Sequence, residues 1–119
     1  MSLKSFSYFW GFVEEDVVRS HLRKKEDGTF LFRFGQRSPY FHIYVIHRNV
    51  IRVIEFQLCQ KKGFGHIFSV GGSQFPSFDA IVSHYSTHPL KVPYTEISFY
   101  LKSPLSITEG EIIQDQDGM

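Results

Sequence analysis

Between Gly28 and Gly35 the chain reads Thr-Phe-Leu-Phe-Arg-Phe, and this run constrains the fold more than any other stretch. Successive side chains of a strand point to opposite faces, so Phe30, Phe32 and Phe34 share one face while Leu31 and Arg33 share the other. Both faces are therefore largely apolar, the pattern of a strand covered on each side. Arg33 breaks that pattern. A guanidinium does not give up its charge in a protein, and leaving a buried charge without its partner costs roughly 3 to 5 kcal/mol. Arg33 thus requires an anion, from the chain or from a ligand. Glu14, Glu15 and Glu55 are the internal candidates. The external candidate is a bidentate oxyanion, which fits the planar arginine fork. The loop Gln36-Arg37-Ser38 would add a second cation, a hydroxyl and backbone N–H groups to such a pocket.

The flanking sequence supplies the covers. Residues 13–25 are predicted to be helical: Glu14, Glu15 and Asp16 stand at the positive end of the helix dipole, and Arg23, Lys24 and Lys25 at the negative end. Val17, Val18 and Leu22 share one face, and Asp27-Gly28 ends the helix. Strands are predicted at 29–34, 40–47, 50–60 and 65–70, rich in Phe, Tyr, Ile and Val and separated by short polar or glycine-containing breaks that favour hairpins. A short strand at 73–75 precedes Ser77, which caps a helix running to about His88 with a stripe of Phe78, Ile81, Val82 and Tyr85. Residues 96–102 alternate apolar and polar and are predicted to form a closing edge strand. The expected fold is α+β, a central antiparallel sheet flanked by two α-helices. Residues 1–105 make the expected domain, and 106–119 an acidic tail expected to be disordered.

Composition narrows the function classes. The 119 residues are enough for one domain, and 13 Phe with 6 Tyr provide for a substantial core. A formal net charge of +1 gives no global drive toward nucleic acid or an anionic membrane, so any anion site is local. The single cysteine, Cys59, excludes an internal disulfide and fits a reducing compartment. No apolar run approaches the ~18 residues of a membrane span, and no secretion signal is visible. We expect a cytoplasmic monomer, residing in the host cytosol if the source is a pathogen.

Several of these features in order resemble one family. Tyr8-Phe9-Trp10-Gly11 before the first helix, Gly28-Thr29-Phe30-Leu31-Phe32-Arg33 on the next strand, residues 75–85 on the second helix and the closing strand are similar to the Src-homology-2 domain, over about residues 6–104. The resemblance implies a non-catalytic module that reads tyrosine-phosphorylated peptides, with Arg33 holding the phosphate. Arg37, Ser38, Gln36 and His42 are the implied supporting residues. Other positions depart from the family. An acid, Glu15, stands where a second phosphate-facing arginine is common, and an acid there opposes a phosphate carrying about −1.5 to −2 charges. Gly35 replaces a small hydroxyl residue, and Glu55 replaces a histidine beside the ring. Glu15 and Glu55 are therefore read as modulating the pocket. Phe56 and Gln57 fall where the residues after the phosphotyrosine would cross, and Phe56 is either the floor of a shallow surface or simply core. The alternative implied by Glu15 is the same fold with its pocket closed by an Arg33 to Glu15 pair, acting as a phosphate-independent interaction domain.

Weaker signals point elsewhere. Lys62-Gly63-Phe64-Gly65-His66-Ile67-Phe68 resembles the aromatic strand of an RNA-recognition module, which needs exposed rings to stack bases. His84 and His88 lie one helical turn apart without further ligands, and Cys59 with His66 lacks a third orienting group. We expect no catalytic residue, metal, cofactor, nucleic-acid partner or direct membrane insertion.

Overall fold

The computed structural model describes residues 7–63 and 65–107. Its elements run α1 (Glu15–Leu22), β1 (Thr29–Phe34), β2 (Tyr40–His47), β3 (Val50–Lys61), β4 (Gly65–Val70), β5 (Ser73–Phe75), α2 (Phe78–Thr87), β6 (Leu90–Lys91), β7 (Ser98–Phe99) and β8 (Ser103–Pro104). The main sheet has the order β5-β4-β3-β2-β1-β8, antiparallel throughout except for the parallel β1 and β8 pair. Arg48 and Asn49 both adopt positive φ, the backbone of a tight hairpin turn, and so return β2 into β3 in two residues.

β1 is an interior strand covered on both faces. Phe30 and Phe32 enter a core with Phe41, Ile43, Phe56, Phe68 and the α2 residues Phe78 and Ile81. Leu31 enters a second core with Trp10, Val18, Leu22, Tyr44 and Ile46 beneath α1. Residues 8–11 bind β1 as well: the Trp10 N–H donates to the Phe32 carbonyl, and the Phe32 N–H to the Tyr8 carbonyl, each at 2.8 Å.

Three boundaries differ from expectation. α1 is shorter than 13–25 because Leu22 is its last buried residue; Arg23 leaves helical geometry and Lys24 takes a left-handed turn with φ of 68°. The basic run beyond has no face to bury, and its charge pattern alone does not extend the helix. The edge strand expected at 96–102 is not one strand. Phe99 and Leu101 are buried as the alternation requires, but β7 pairs with β6 in a separate ribbon and the Leu101 N–H donates to Tyr85. The edge of β1 is taken instead by β8, where Pro104 closes the ladder. The packed body also runs past 105: the Leu105 N–H donates to Phe30, and Ile107 is only 7% exposed. The remainder of the predicted acidic tail, 108–119, lies outside the described residues. The second helix agrees with its prediction, with the Ser77 side chain accepting from the Ala80 N–H at 3.1 Å.

Three core tyrosines give the fold an alkaline limit. Burial raises the hydroxyl pKa of Tyr8, Tyr44 and Tyr85 above the ordinary 10; Tyr8 also donates to the Asp79 carboxylate and Tyr44 to Glu15. The folded chain holds these protons more tightly than the unfolded chain, so their stabilisation is complete below pH 10 and is lost as pH rises through the raised folded values. The urea midpoint is expected to fall between about pH 9 and about pH 11. A midpoint that stays constant over that window, followed by tyrosine absorbance, would show that these hydroxyls titrate as in the open chain.

Candidate functional site

Register assembles the site. Arg33 on β1 pairs with His42 on β2, which pairs with Glu55 on β3, so the three side chains form a row on the α1 face. The adjoining row is Leu31, Tyr44 and Val53, and on the other side Tyr40 stands opposite Gln57. Gln36, Arg37 and Ser38 occupy the exposed loop above Arg33, and Arg37 stacks its guanidinium 5.6 Å from the Tyr40 ring.

Arg33 is half-buried, and protein groups fix its orientation. Its Nε donates to the Val13 carbonyl at 2.6 Å, tying the strand to the segment that enters α1, and its Nη1 donates to the Tyr44 hydroxyl at 3.2 Å. Tyr44 donates in turn to Glu15 Oε2 at 2.9 Å, and Glu15 Oε1 lies 3.7 Å from Arg19 Nε. The Arg33 and Arg19 guanidinium carbons sit 5.9 and 5.8 Å from the centre of the Tyr44 ring. A buried tyrosine thus lies between two cations and one acid, and its hydroxyl is held protonated chiefly by burial, then by the Glu15 hydrogen bond. Among the described residues no carboxylate lies within ion-pair distance of Arg33. The direct Arg33 to Glu15 pair expected of a closed pocket is not formed, because the Tyr44 hydroxyl stands between them.

His42 is mostly buried, with Nε2 3.5 Å from Glu55 Oε2 and a buried Nδ1 that has no hydrogen-bond partner among the described residues. Gly35 has a steric reason for lacking a side chain. A Cβ there would lie 2.8 Å from the Tyr40 carbonyl oxygen, which already accepts the Gly35 N–H at 2.9 Å. The hydroxyl residue common at this position therefore has no room beside this backbone.

Compared with known protein families, residues 8–85 match the SH2 domain. The chain belongs to the SH2 domain family. SH2 domains are phosphotyrosine-peptide-binding modules and are in general non-catalytic. No curated protein sequence matches this SH2 domain.

Of the two readings left open for Phe56 in this SH2 domain, core is the one met, and its place among the peptide-contacting residues needs correction. Phe56 is 3% exposed and packs against Phe32, Phe41, Phe68 and Phe78, so it is core and does not floor an exposed peptide surface. Its pairing with Phe41 places it on the α2 face, away from Glu55 and Gln57. The RNA-recognition pattern calls for stacking rings where this strand has the exposed imidazole of His66, and the neighbouring Phe68 is core. Gln57 remains on the Arg33 face, its amide 3.1 Å from Cys59 Sγ. His66 pairs with Gln60 while Cys59 pairs with Ile67, so Cys59 and His66 project from opposite faces. The His84 and His88 rings stack 4.4 Å apart, and no metal-holding group of three or more ligands occurs among the described residues. No helix among them is long and apolar enough to cross a membrane.

Sequence reasoning missed Tyr44, Arg19 and the Val13 carbonyl. Two signals were present: Tyr44 shares a face with His42 by alternation, and Arg19 lies one helical turn from Glu15.

Proposed function

We propose that this SH2 domain is a non-catalytic reader of tyrosine-phosphorylated proteins in which Arg33 holds the phosphate at the pocket floor. The observation that carries this reading is an oriented arginine without a carboxylate: Val13 and Tyr44 position the guanidinium, and Nη2 has no hydrogen-bond partner among the described residues. Arg37 adds charge from the rim, Ser38 and Gln36 donate hydrogen bonds, and His42 packs on the phosphotyrosine ring. We read the module as a cytoplasmic, monomeric signalling domain without a nucleic-acid ligand. Titrating a degenerate phosphotyrosine library against its unphosphorylated counterpart tests the reading, and equal binding of both would overturn it. Affinity should be greatest for the phosphate dianion and so decline as pH drops below about 6, the second phosphate pKa. A flat profile from pH 7.5 to pH 5.5, both about half a unit or more from that value, would count against a charge-selective pocket.

Glu15 sets a ceiling on affinity in this scheme. Its carboxylate lies one hydroxyl away from Arg33, near enough to oppose an incoming dianion, while Arg19 offsets part of its charge. Glu15→Gln keeps an acceptor for Tyr44 and removes the repulsion. Phosphopeptide binding is expected to tighten by about five-fold, corresponding to about 1 kcal/mol for charges partly screened at a protein surface. Unchanged or weaker binding by calorimetry would mean that Glu15 supports the pocket instead of opposing the ligand.

A further inference from the structure

A groove of about 560 Å³ lies between α1 and the β2–β3 hairpin, away from the Arg33 row. Ile46 in its wall is four strand positions from His42, a separation of about 13 Å at ~3.3 Å per residue, and Asn49 lies beyond it in the turn that joins β2 to β3. Arg19, Arg23 and Lys24 supply three cations, and Ile46, Val50 and Ile51 supply an aliphatic wall. Arg19 is engaged by Glu15, but Arg23 and Lys24 are exposed, and neither has a carboxylate within ion-pair distance among the described residues. Val50 is 46% exposed although it is wholly apolar. The complementary occupant is both acidic and aliphatic.

The chain itself contains such a segment. Residues 108–119 carry Glu109, Glu111, Asp115 and Asp117, no base, and the pair Ile112-Ile113 between the acids. The segment follows Ile107, which packs into the α1-side core together with Ile46, one of the groove residues. The Ile107 N–H donates to the Ser7 carbonyl at 3.0 Å, which anchors the point of departure. Twelve residues reach at most about 40 Å when extended, whereas α1 is about 12 Å long and a helix about 10–12 Å across. Ile112, five residues beyond the anchor, can reach about 17 Å, enough to round the end of α1. A tether of this length holds the segment near the groove at an effective concentration on the order of millimolar, so weak individual contacts suffice.

We propose that residues 108–119 dock in this groove, with their carboxylates on Arg23 and Lys24 and with Ile112-Ile113 against Ile46, Val50 and Ile51. Docking on Arg23 and Lys24 does not require a ligand at Arg33, although Arg19 lines the groove and pairs with Glu15. The test uses the full 119-residue chain and compares its ¹⁵N–¹H spectrum with that of Glu109→Gln/Glu111→Gln/Ile112→Ser/Ile113→Ser. The expected result is a set of shifts at the Arg23, Lys24, Val50 and Ile51 amides. Arg23→Glu/Lys24→Glu should reciprocally move the Ile112 and Ile113 amides. Groove amides that stay in place in the tail variant overturn the proposal. So do wild-type groove shifts that vary with protein concentration, which would assign the groove to the tail of a second copy. Retention on phosphatidylserine vesicles that Arg23→Glu/Lys24→Glu abolishes, with no groove shifts in the tail variant, would assign it to an anionic membrane and equally overturn docking.

Discussion

Replacing Arg33 with alanine is expected to weaken phosphotyrosine-peptide binding by about 100-fold or more while leaving the weak binding of the unphosphorylated peptide unchanged. Each hydrogen bond to a charged group contributes about 1.5 to 3 kcal/mol, and a bidentate phosphate contact contains two. The loss is therefore roughly 3 to 6 kcal/mol, about a third to three quarters of the affinity of a micromolar complex. The substitution also strips a donor from the Val13 carbonyl and from the Tyr44 hydroxyl, so some loss of stability accompanies it. Circular dichroism at the temperature of the titration separates the two effects, because a folded variant that does not bind has lost the ligand contact. Arg33→Lys sharpens the test. It keeps a positive charge but presents a compact ammonium in place of the planar fork, and is expected to recover only a small part of the affinity. A folded Arg33→Ala variant that binds within about three-fold of wild type, far less than one charged hydrogen bond is worth, would remove Arg33 from the phosphate site.

Phe78→Ala is expected to cost about 3 to 5 kcal/mol of folding stability. Phe78 is fully buried on α2, and its ring lies 4.9 Å from Phe32, 4.8 Å from Phe68, 5.3 Å from Phe9 and 5.6 Å from Phe41. These rings come from the segment before α1 and from β1, β2 and β4, so one side chain joins most of the sheet to its helix. Truncation leaves a cavity that surrounding rings, already in edge and tilted contacts with one another, cannot refill without leaving their own positions. Against the 5 to 15 kcal/mol typical of a whole domain, the change removes roughly a fifth or more of the stability. With a urea slope of about 1 to 3 kcal/mol per molar, the midpoint is expected to fall by at least about 1 M. A drop of under about 0.3 M would show that the α2-side core tolerates the void and that helix attachment resides elsewhere.

The architecture was legible wherever local pattern and burial coincide. Phe30, Leu31 and Phe32 alternate between two cores as their spacing predicts, and Ser77 caps α2 as its position before an apolar stripe requires. Alternation reports burial but not hydrogen-bond partners, which is why Phe99 and Leu101 were correctly expected inside while their backbone was assigned to the wrong ladder. Charge placement likewise indicated the direction of α1 but not its length, because the helix stops where Leu22 makes its last core contact. At the site, Arg33 stood out as a cation among phenylalanines. Tyr44 did not, because its role depends on the β1–β2 register and on where α1 places Glu15, both non-local. Phe56 was ambiguous for a related reason: one strand position decides between the core and the ligand face, and only pairing with Phe41 fixes the parity.

The hydrogen bond from Arg33 Nε to Val13 also restricts the direction from which an oxyanion can be met. A guanidinium offers a side-on pair, Nε with one terminal nitrogen, and an end-on pair formed by the two terminal nitrogens. Of its five N–H donors, two are committed to Val13 and Tyr44, and the three that remain all sit on the terminal nitrogens. Side-on docking is therefore blocked, and a bidentate ligand has to approach along the long axis of the side chain. Such an approach demands a group carried at the end of a long, narrow arm. In the proposed pocket, the backbone carbonyl that steadies the arginine would thereby act as a filter on ligand shape.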